Sequence, residues 1–225
     1  MERRVDAELK NLQERLLRMA SLVEEAIGRA IHALVSREAE LARQVIQSDK
    51  AINMAEIEID ELCLKLLALY HPEATDLRFI TMAFKINSDL ERMGDLAVNI
   101  AERTLDLLKE PLLKPLIDIP RMAEVAQKMV KDSLDAFIRR DAELGKSVCK
   151  RDDEVDQLND QIFRELLTYM LQDPKNIERA LGLIIVGRHL ERIADHATNV
   201  AEDAVYLAQG QTIKHHIADP NKISS

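Results

Sequence analysis

Aromatic side chains are nearly absent from this 225-residue chain: four Phe, three Tyr and no Trp, 3% of all residues. Leu, Ile, Val, Ala and Met must therefore fill any core, which suits helix packed on helix. Glycine and proline are equally scarce, six of each, so tight turns are few and the elements between them are long. Only two Cys occur and no C-x-x-C spacing joins them, which argues against a redox pair or a thiolate metal site. No apolar run approaches the roughly 20 residues that a membrane span needs. The charged start Met1-Glu2-Arg3-Arg4-Val5-Asp6 is followed by no apolar signal core. The expectation is a soluble, cytoplasmic protein that reaches a membrane only through a partner. Basic charge is also in short supply, 31 Lys and Arg against 40 Asp and Glu, for a net charge of −9. That balance argues against nucleic acid as a partner and favours cations or a basic face on another protein.

What is present is helical periodicity, with no convincing alternation of the strand type. The apolar spacing predicts six helices, at about 5–36, 39–70, 75–109, 120–139, 142–171 and 175–208. Pro72 and Asp173-Pro174 break the chain between neighbouring helices, and Pro111, Pro115 and Pro120 mark a joint in the middle. Residues from 211 onward are polar and read as a frayed tail.

One sentence is written twice. Leu90-Glu91-Arg92-x-x-Asp95-x-x-x-Asn99-x-Ala101-Glu102 returns as Leu190-Glu191-Arg192-x-x-Asp195-x-x-x-Asn199-x-Ala201-Glu202, with eight of thirteen positions identical. The repeat extends upstream: Ala39-Glu40-Leu41 matches Ala142-Glu143-Leu144, and Asp49 matches Asp152. The offset is 103 there and 100 at the later motif, so the connection near Pro72 is longer than its counterpart. An all-α chain of two tandem three-helix bundles follows, related by internal duplication. Its expected divisions are 1–113 for the first repeat, 114–210 for the second and 211–225 for the tail. Cys63 falls opposite Leu166 and Cys149 opposite Ile46, so both thiols are expected in the core.

Duplication that preserves acids points to a site used twice. On a helical wheel with Glu91 at zero, Asp95 lies at roughly 40°, Asn99 at roughly 80° and Glu102 at roughly 20°, away from the apolar face. Folding the chain back at Asp173-Pro174 sets Asp152 level with Asp195 and Asp156 level with Glu191. Folding it at Pro72 sets Asp49 level with Asp95 and Asn53 level with Glu91. Carboxylates at close range repel one another, and such clusters make physical sense around a cation. All-oxygen donors suit Mg²⁺, Mn²⁺ or Ca²⁺, and iron is compatible. A solvated face with Glu–Arg pairing is the plainer alternative.

These residues resemble the PhoU family, the phosphate-transport regulatory proteins. The likeness runs from about residue 5 to residue 208 and rests on Asp-x-x-x-Asp/Asn followed by Glu-Arg-x-x-Asp once per half. Glu40-Leu41-Ala42-Arg43-Gln44-Val45-Ile46-x-x-Asp49 and Glu56-x-x-x-Asp60-Glu61 support it. The resemblance implies a non-enzymatic adaptor that represses phosphate uptake and the phosphate-starvation response. Its implied partners are the phosphate ABC transporter and the membrane sensor histidine kinase, and it favours a homodimer. It also implies a divalent or trivalent metal, iron, Mg, Mn or Zn, on Glu91, Asp95, Asp49, Glu191, Asp195, Asp152 and Asp156. Asn99 and Asn199 complete the candidate ligands. Asn53 stands where the family pattern has an acid, leaving the first site one charge short.

Other readings fit less well. Asp152-Asp153-x-x-Asp156 matches an aspartate-rich prenyl-transfer motif, but seven aromatics cannot line such a cavity. A ferritin-like centre needs Glu-x-x-His, and none of the six His has Glu three residues before it. His189 and His196 read as ordinary polar positions, and His215 and His216 lie in the tail. A response-regulator phosphatase using Asp95 and Asn99 is the enzymatic alternative, and a metal-free scaffold the simplest. The acidic face argues against unassisted phosphate binding there, although a bound metal would reverse the local charge.

Overall fold

The computed structural model describes residues 4–210, so the tail with His215 and His216 lies outside the described residues. Six helices account for nearly all of it: α1 Arg4–Ser36, α2 Ala39–Tyr70, α3 Ala74–Leu107, α4 Asp118–Arg139, α5 Ala142–Gln172 and α6 Ile177–Gln209. Two starts differ by two residues from the sequence expectation. α4 begins at Asp118, because Pro120 is tolerated in a first turn whose N–H groups have no helical acceptor. Before α6, Pro174–Asn176 forms a 3₁₀ turn, whose start is capped by Asp173 accepting from the Lys175 N–H at 2.9 Å.

The duplication reaches the backbone. Arg37, after α1, and Arg140, after α4, are repeats of each other, and both adopt left-handed φ, 59° and 55°. Each turns the chain into the next helix within two residues. The connections diverge further on: His71-Pro72-Glu73 separates α2 from α3, whereas Asp173 alone precedes the 3₁₀ turn.

Apolar residues three and four apart give each helix its buried stripe. In α4 these are Met122, Ala126, Met129, Val130, Leu134 and Phe137. Each half is a three-helix bundle, α1–α2–α3 and α4–α5–α6, and the bundles join through α3 against α6 and α1 against α4. The result has two layers. α2, α3, α6 and α5 lie side by side in that order, backed by α1 and α4. Phe79 of α3 stacks on Phe137 of α4 with ring centroids 4.9 Å apart, and one continuous core runs through both halves.

The joining helices are antiparallel. Lys85 meets Asp203, Asp89 meets His196, and Leu107 lies over Gly182. In the second layer the Gln127 side chain covers Gly28 and donates to the Glu24 carbonyl at 2.8 Å. These pairs place a pseudo-two-fold between the halves, passing near Met93 and its repeat Ile193, both fully buried. Both cysteines are free: Cys63 is buried and Cys149 packs against the core, as expected. Burial pushes the two thiols up, to about 12 and about 11, so neither is a ready nucleophile.

Candidate metal centres on the outer face

The α2–α3–α6–α5 layer is covered on one side by α1 and α4. Its other side carries the acids. In the second half, Asp152 and Asp156 of α5 share the electrostatic field of Asp195 and Glu191 of α6. Burial pushes the Asp152 carboxyl up to about 6, and the charges of Asp156 and Asp195 add to the rise. The nearby Thr198 hydroxyl partly offsets it, although its oxygen is buried with no partner at hydrogen-bond distance. Asp156 lies above the usual carboxylate range through burial and then Asp195, and Glu191 through burial, Asp156 and Asp195. Burial raises Asp195 as well, against the pull of His196 and Arg192. The two helices thus bring the expected four acids within range of one another.

In the first half Asp49 is raised by burial and by Asp95, while the Asn53 amide, donating to Asp49 at 2.8 Å, holds it down. Asp49 Oδ1 is shut from solvent and has no hydrogen-bond partner. Glu91 is raised by burial and by Asp95, and Arg92 lies 3.5 Å from Glu91 and 3.6 Å from Asp95. A residue outside the expected set joins this site. Glu56, one turn beyond Asn53, is raised by burial, Asp60 and Asp95, and in turn raises Glu91. Glu56 therefore restores the charge that Asn53 removes. Its spacing of seven from Asp49 and three from Asn53 was the available signal, since all three share one helical face.

The asparagines divide. Fully buried Asn87 donates to the Glu56 carbonyl at 2.9 Å and to Asp60 at 2.7 Å. Its repeat is Gly187, and a Cβ there would meet Asn159 Oδ1 at 2.9 Å. The bare glycine lets Asn159 reach Glu191, to which it donates at 2.9 Å. Asn99 is exposed and Asn199 half-buried, one turn beyond Asp95 and Asp195, and neither is hydrogen-bonded to the clusters among the described residues. The sequence had no means to separate these roles.

His189 and His196, read from the sequence as ordinary polar positions, are half-buried. They face the α3–α6 seam, where His196 Nδ1 lies 2.9 Å from Asp89.

The donor set is all oxygen, and the orphaned Asp49 oxygen and mutually raised carboxyls fit a hard cation. Among the described residues, no three His, Cys, Asp or Glu side chains are already closed to coordinating distance.

Two three-helix bundles, joined by a pseudo-two-fold and bearing one acidic cluster each, define a class of tandem helical-bundle proteins. The PhoU domain matches this chain twice, over residues 16–104 and 119–204, and the chain belongs to the PhoU family. A phosphate-specific transport system accessory protein PhoU homolog from Aquifex aeolicus is 51% identical over 213 residues, covering 94% of this chain and 96% of that protein. One from Pseudomonas aeruginosa is 42% identical over 211 residues, 93% and 87% of the two chains. The crystal structure of the Pseudomonas aeruginosa PhoU superposes with a TM-score of 0.88 at 42% identity, covering 92% of this chain and 99% of that one. The phosphate transport system regulatory protein PhoU from Streptococcus pneumoniae gives 0.86 at 33% identity, covering 93% and 99%.

Proposed function

We propose that this protein is a non-catalytic accessory of a phosphate-specific transport system that represses phosphate uptake and the phosphate-starvation response. The observation that carries the reading is end-to-end similarity to relatives that bear that accessory name. Among the described residues no helix is long and apolar enough to cross a membrane, so contact with a transporter goes through a surface. The α5–α6 hairpin offers one, with Phe163, Leu171 and Leu181 exposed near its turn and acids beyond them. We place the transporter and a membrane sensor kinase as partners, and a second copy of the chain as a further one.

The metal part of the reading assigns Asp49, Glu56, Glu91 and Asp95 to one ion site and Asp152, Asp156, Glu191 and Asp195 to the other. A bound cation would neutralise the acidic face and so change what that face can dock against. Deletion of the gene, with no second copy present, should leave starvation genes active in high phosphate. Normal repression in that strain would overturn the regulatory assignment. Elemental analysis of protein purified without chelator tests the metal separately. Replacing Glu191 and Asp195 by Ala should remove the second-half metal while the circular dichroism spectrum stays helical; unchanged metal content would reject those ligands.

A further inference from the structure

The duplication keeps more than acids on the outer face. Leu64 of α2 and its repeat Leu167 of α5 are both exposed apolar residues. So are Leu77 of α3 and its repeat Ile177 of α6, and exposed Phe84 answers to half-buried Ile184. Exposed side chains add little to a core, so packing does not require these positions to stay apolar. Exposed apolar residues on other faces of α2 did not stay so. Met54 and Leu69, at roughly 140° and roughly 200° from Asp49 on the helical wheel, have Gln157 and Gln172 as repeats.

The kept residues form one patch per hairpin, beside the acids. Leu77, Phe84 and Glu91 are seven apart and share a face of α3, as Ile177, Ile184 and Glu191 do on α6. Across the hairpins, Asn87 reaches Asp60 at 2.7 Å, and Gly187 faces Ile162. About one turn nearer each connection, Leu64 therefore falls between Leu77 and Phe84 in height, and Leu167 between Ile177 and Ile184. Because α3 and α6 are antiparallel, with Leu107 over Gly182, the two patches lie at opposite ends of the layer. Phe84 and Ile184 are about 30 Å apart along the helices. The pseudo-two-fold near Met93 and Ile193 carries one patch, with its acids, onto the other.

We propose that the outer face docks a partner protein that has a two-fold axis of its own and seats the same apolar, basic-edged helix on each hairpin patch. Each patch receives the apolar stripe of one such helix, and the acidic cluster beside it receives Lys or Arg from the edge of that stripe. A second copy of this face fails that requirement, because it would set acid against acid. Two equivalent sites suit two equivalent segments, and joining those segments in one partner makes the second contact intramolecular. The site rests on the regulatory reading above, to which it adds the partner's symmetry and the two places it touches.

The test is isothermal titration calorimetry of the full-length protein, with chelator present so that the acids carry no metal. The probe is an amphipathic helix of Leu and Lys, about 18 residues long and apolar on one face. A second probe joins two copies of it through a flexible Gly–Ser linker of about 30 residues, which spans the distance between the patches. Two single peptides should bind per chain, and the linked pair should bind one-to-one, about 100-fold tighter or more. Leu64→Gln with Leu77→Gln should leave one peptide site, as should Leu167→Gln with Ile177→Gln. In either variant the linked pair should fall to the affinity of the single peptide. Met54→Gln, off this face, should change nothing, and a peptide with Glu in place of Lys should not bind. Circular dichroism confirms that each variant is folded. Fewer than two peptides per parent chain, a stoichiometry that survives both pairs of substitutions, or a linked pair no tighter than the single peptide would overturn the proposal. Repression in the deletion strain bears on the regulatory role alone, since the titration needs neither transporter nor kinase.

Discussion

Arg37 and Arg140 show how one residue type at one turn can have two uses. Both sit at left-handed φ, where a Cβ crowds the following carbonyl. Arg37 compensates by donating to the carbonyls of Leu108 at 3.2 Å and Glu110 at 2.7 Å, tying the α1–α2 turn to the end of α3. Arg140→Gly should therefore raise stability by about 1 kcal/mol. Arg37→Gly should gain less or lose, because those two bonds go with it. Urea denaturation of both variants checks the contrast. Asp152 makes the second prediction at this scale. Its carboxyl titrates at about 6 in the folded chain against an ordinary 3.8, so the fold holds its proton more tightly than the unfolded chain does. That stabilisation is complete below the ordinary value and is lost as pH rises through about 6. In chelator, melting temperature should rise as pH falls from 8 towards 5, and Asp152→Asn should flatten the rise. Removing the buried charge should stabilise neutral-pH protein by on the order of 1 kcal/mol after solvent screening.

Among the helices, the two hairpins show the duplication solving one packing problem in two ways. Gly94 of α3 leaves no room for a methyl group, since a Cβ would meet Ile52 Cδ1 at 3.0 Å and Cγ2 at 3.2 Å. The repeat positions hold Ala194 and Val155, a larger residue in α6 set against a smaller one in α5. Volume is kept while its owner changes. Gly94→Ala alone should give little or no stability despite the better helix propensity of Ala, worth about 1 kcal/mol. Ile52→Val alone should cost roughly 1 kcal/mol. Together they should be more stable than the sum, and thermal melts of a double-mutant cycle measure that coupling. Additive effects would show that the two side chains do not compete for the same space. Helices of this kind were legible from apolar spacing, and so was the level pairing of Asp152 with Asp195 across α5 and α6. What the spacing could not give was any contact outside a hairpin. Asn159 reaching Glu191 over Gly187, and His196 meeting Asp89, depend on a missing side chain and on a neighbour 107 residues away. Glu56 was visible as part of a motif, but its role emerged only when the fold set it beside Glu91 and Asp95.

In the whole molecule, tandem repeats in sequence do not amount to independent domains. Each bundle buries one face of its third helix and one face of its first against the other bundle. The core is continuous, and Phe79 on Phe137 spans the joint between α3 and α4. Neither half alone would cover those surfaces, so the two should unfold together despite matching the same domain separately. The layer α1–α4 is the place to test this, because Gly28 touches Gln127 and neither lies in an acidic cluster. A Cβ at Gly28 would come within 2.8 Å of the Gln127 amide nitrogen, which is itself bonded to the Glu24 carbonyl. Gly28→Val should displace Gln127, leave that carbonyl without its side-chain donor and weaken the joint. Calorimetry should show one transition in the parent chain and one transition, at lower temperature, in the variant. Two resolved transitions in the parent would mean that each bundle is stable without its partner. The acidic face would then be carried by two hinged bodies, and a cation on one half could not alter the geometry of the other. A single transition keeps both clusters on one rigid layer, so that neutralising either one changes the same docking surface.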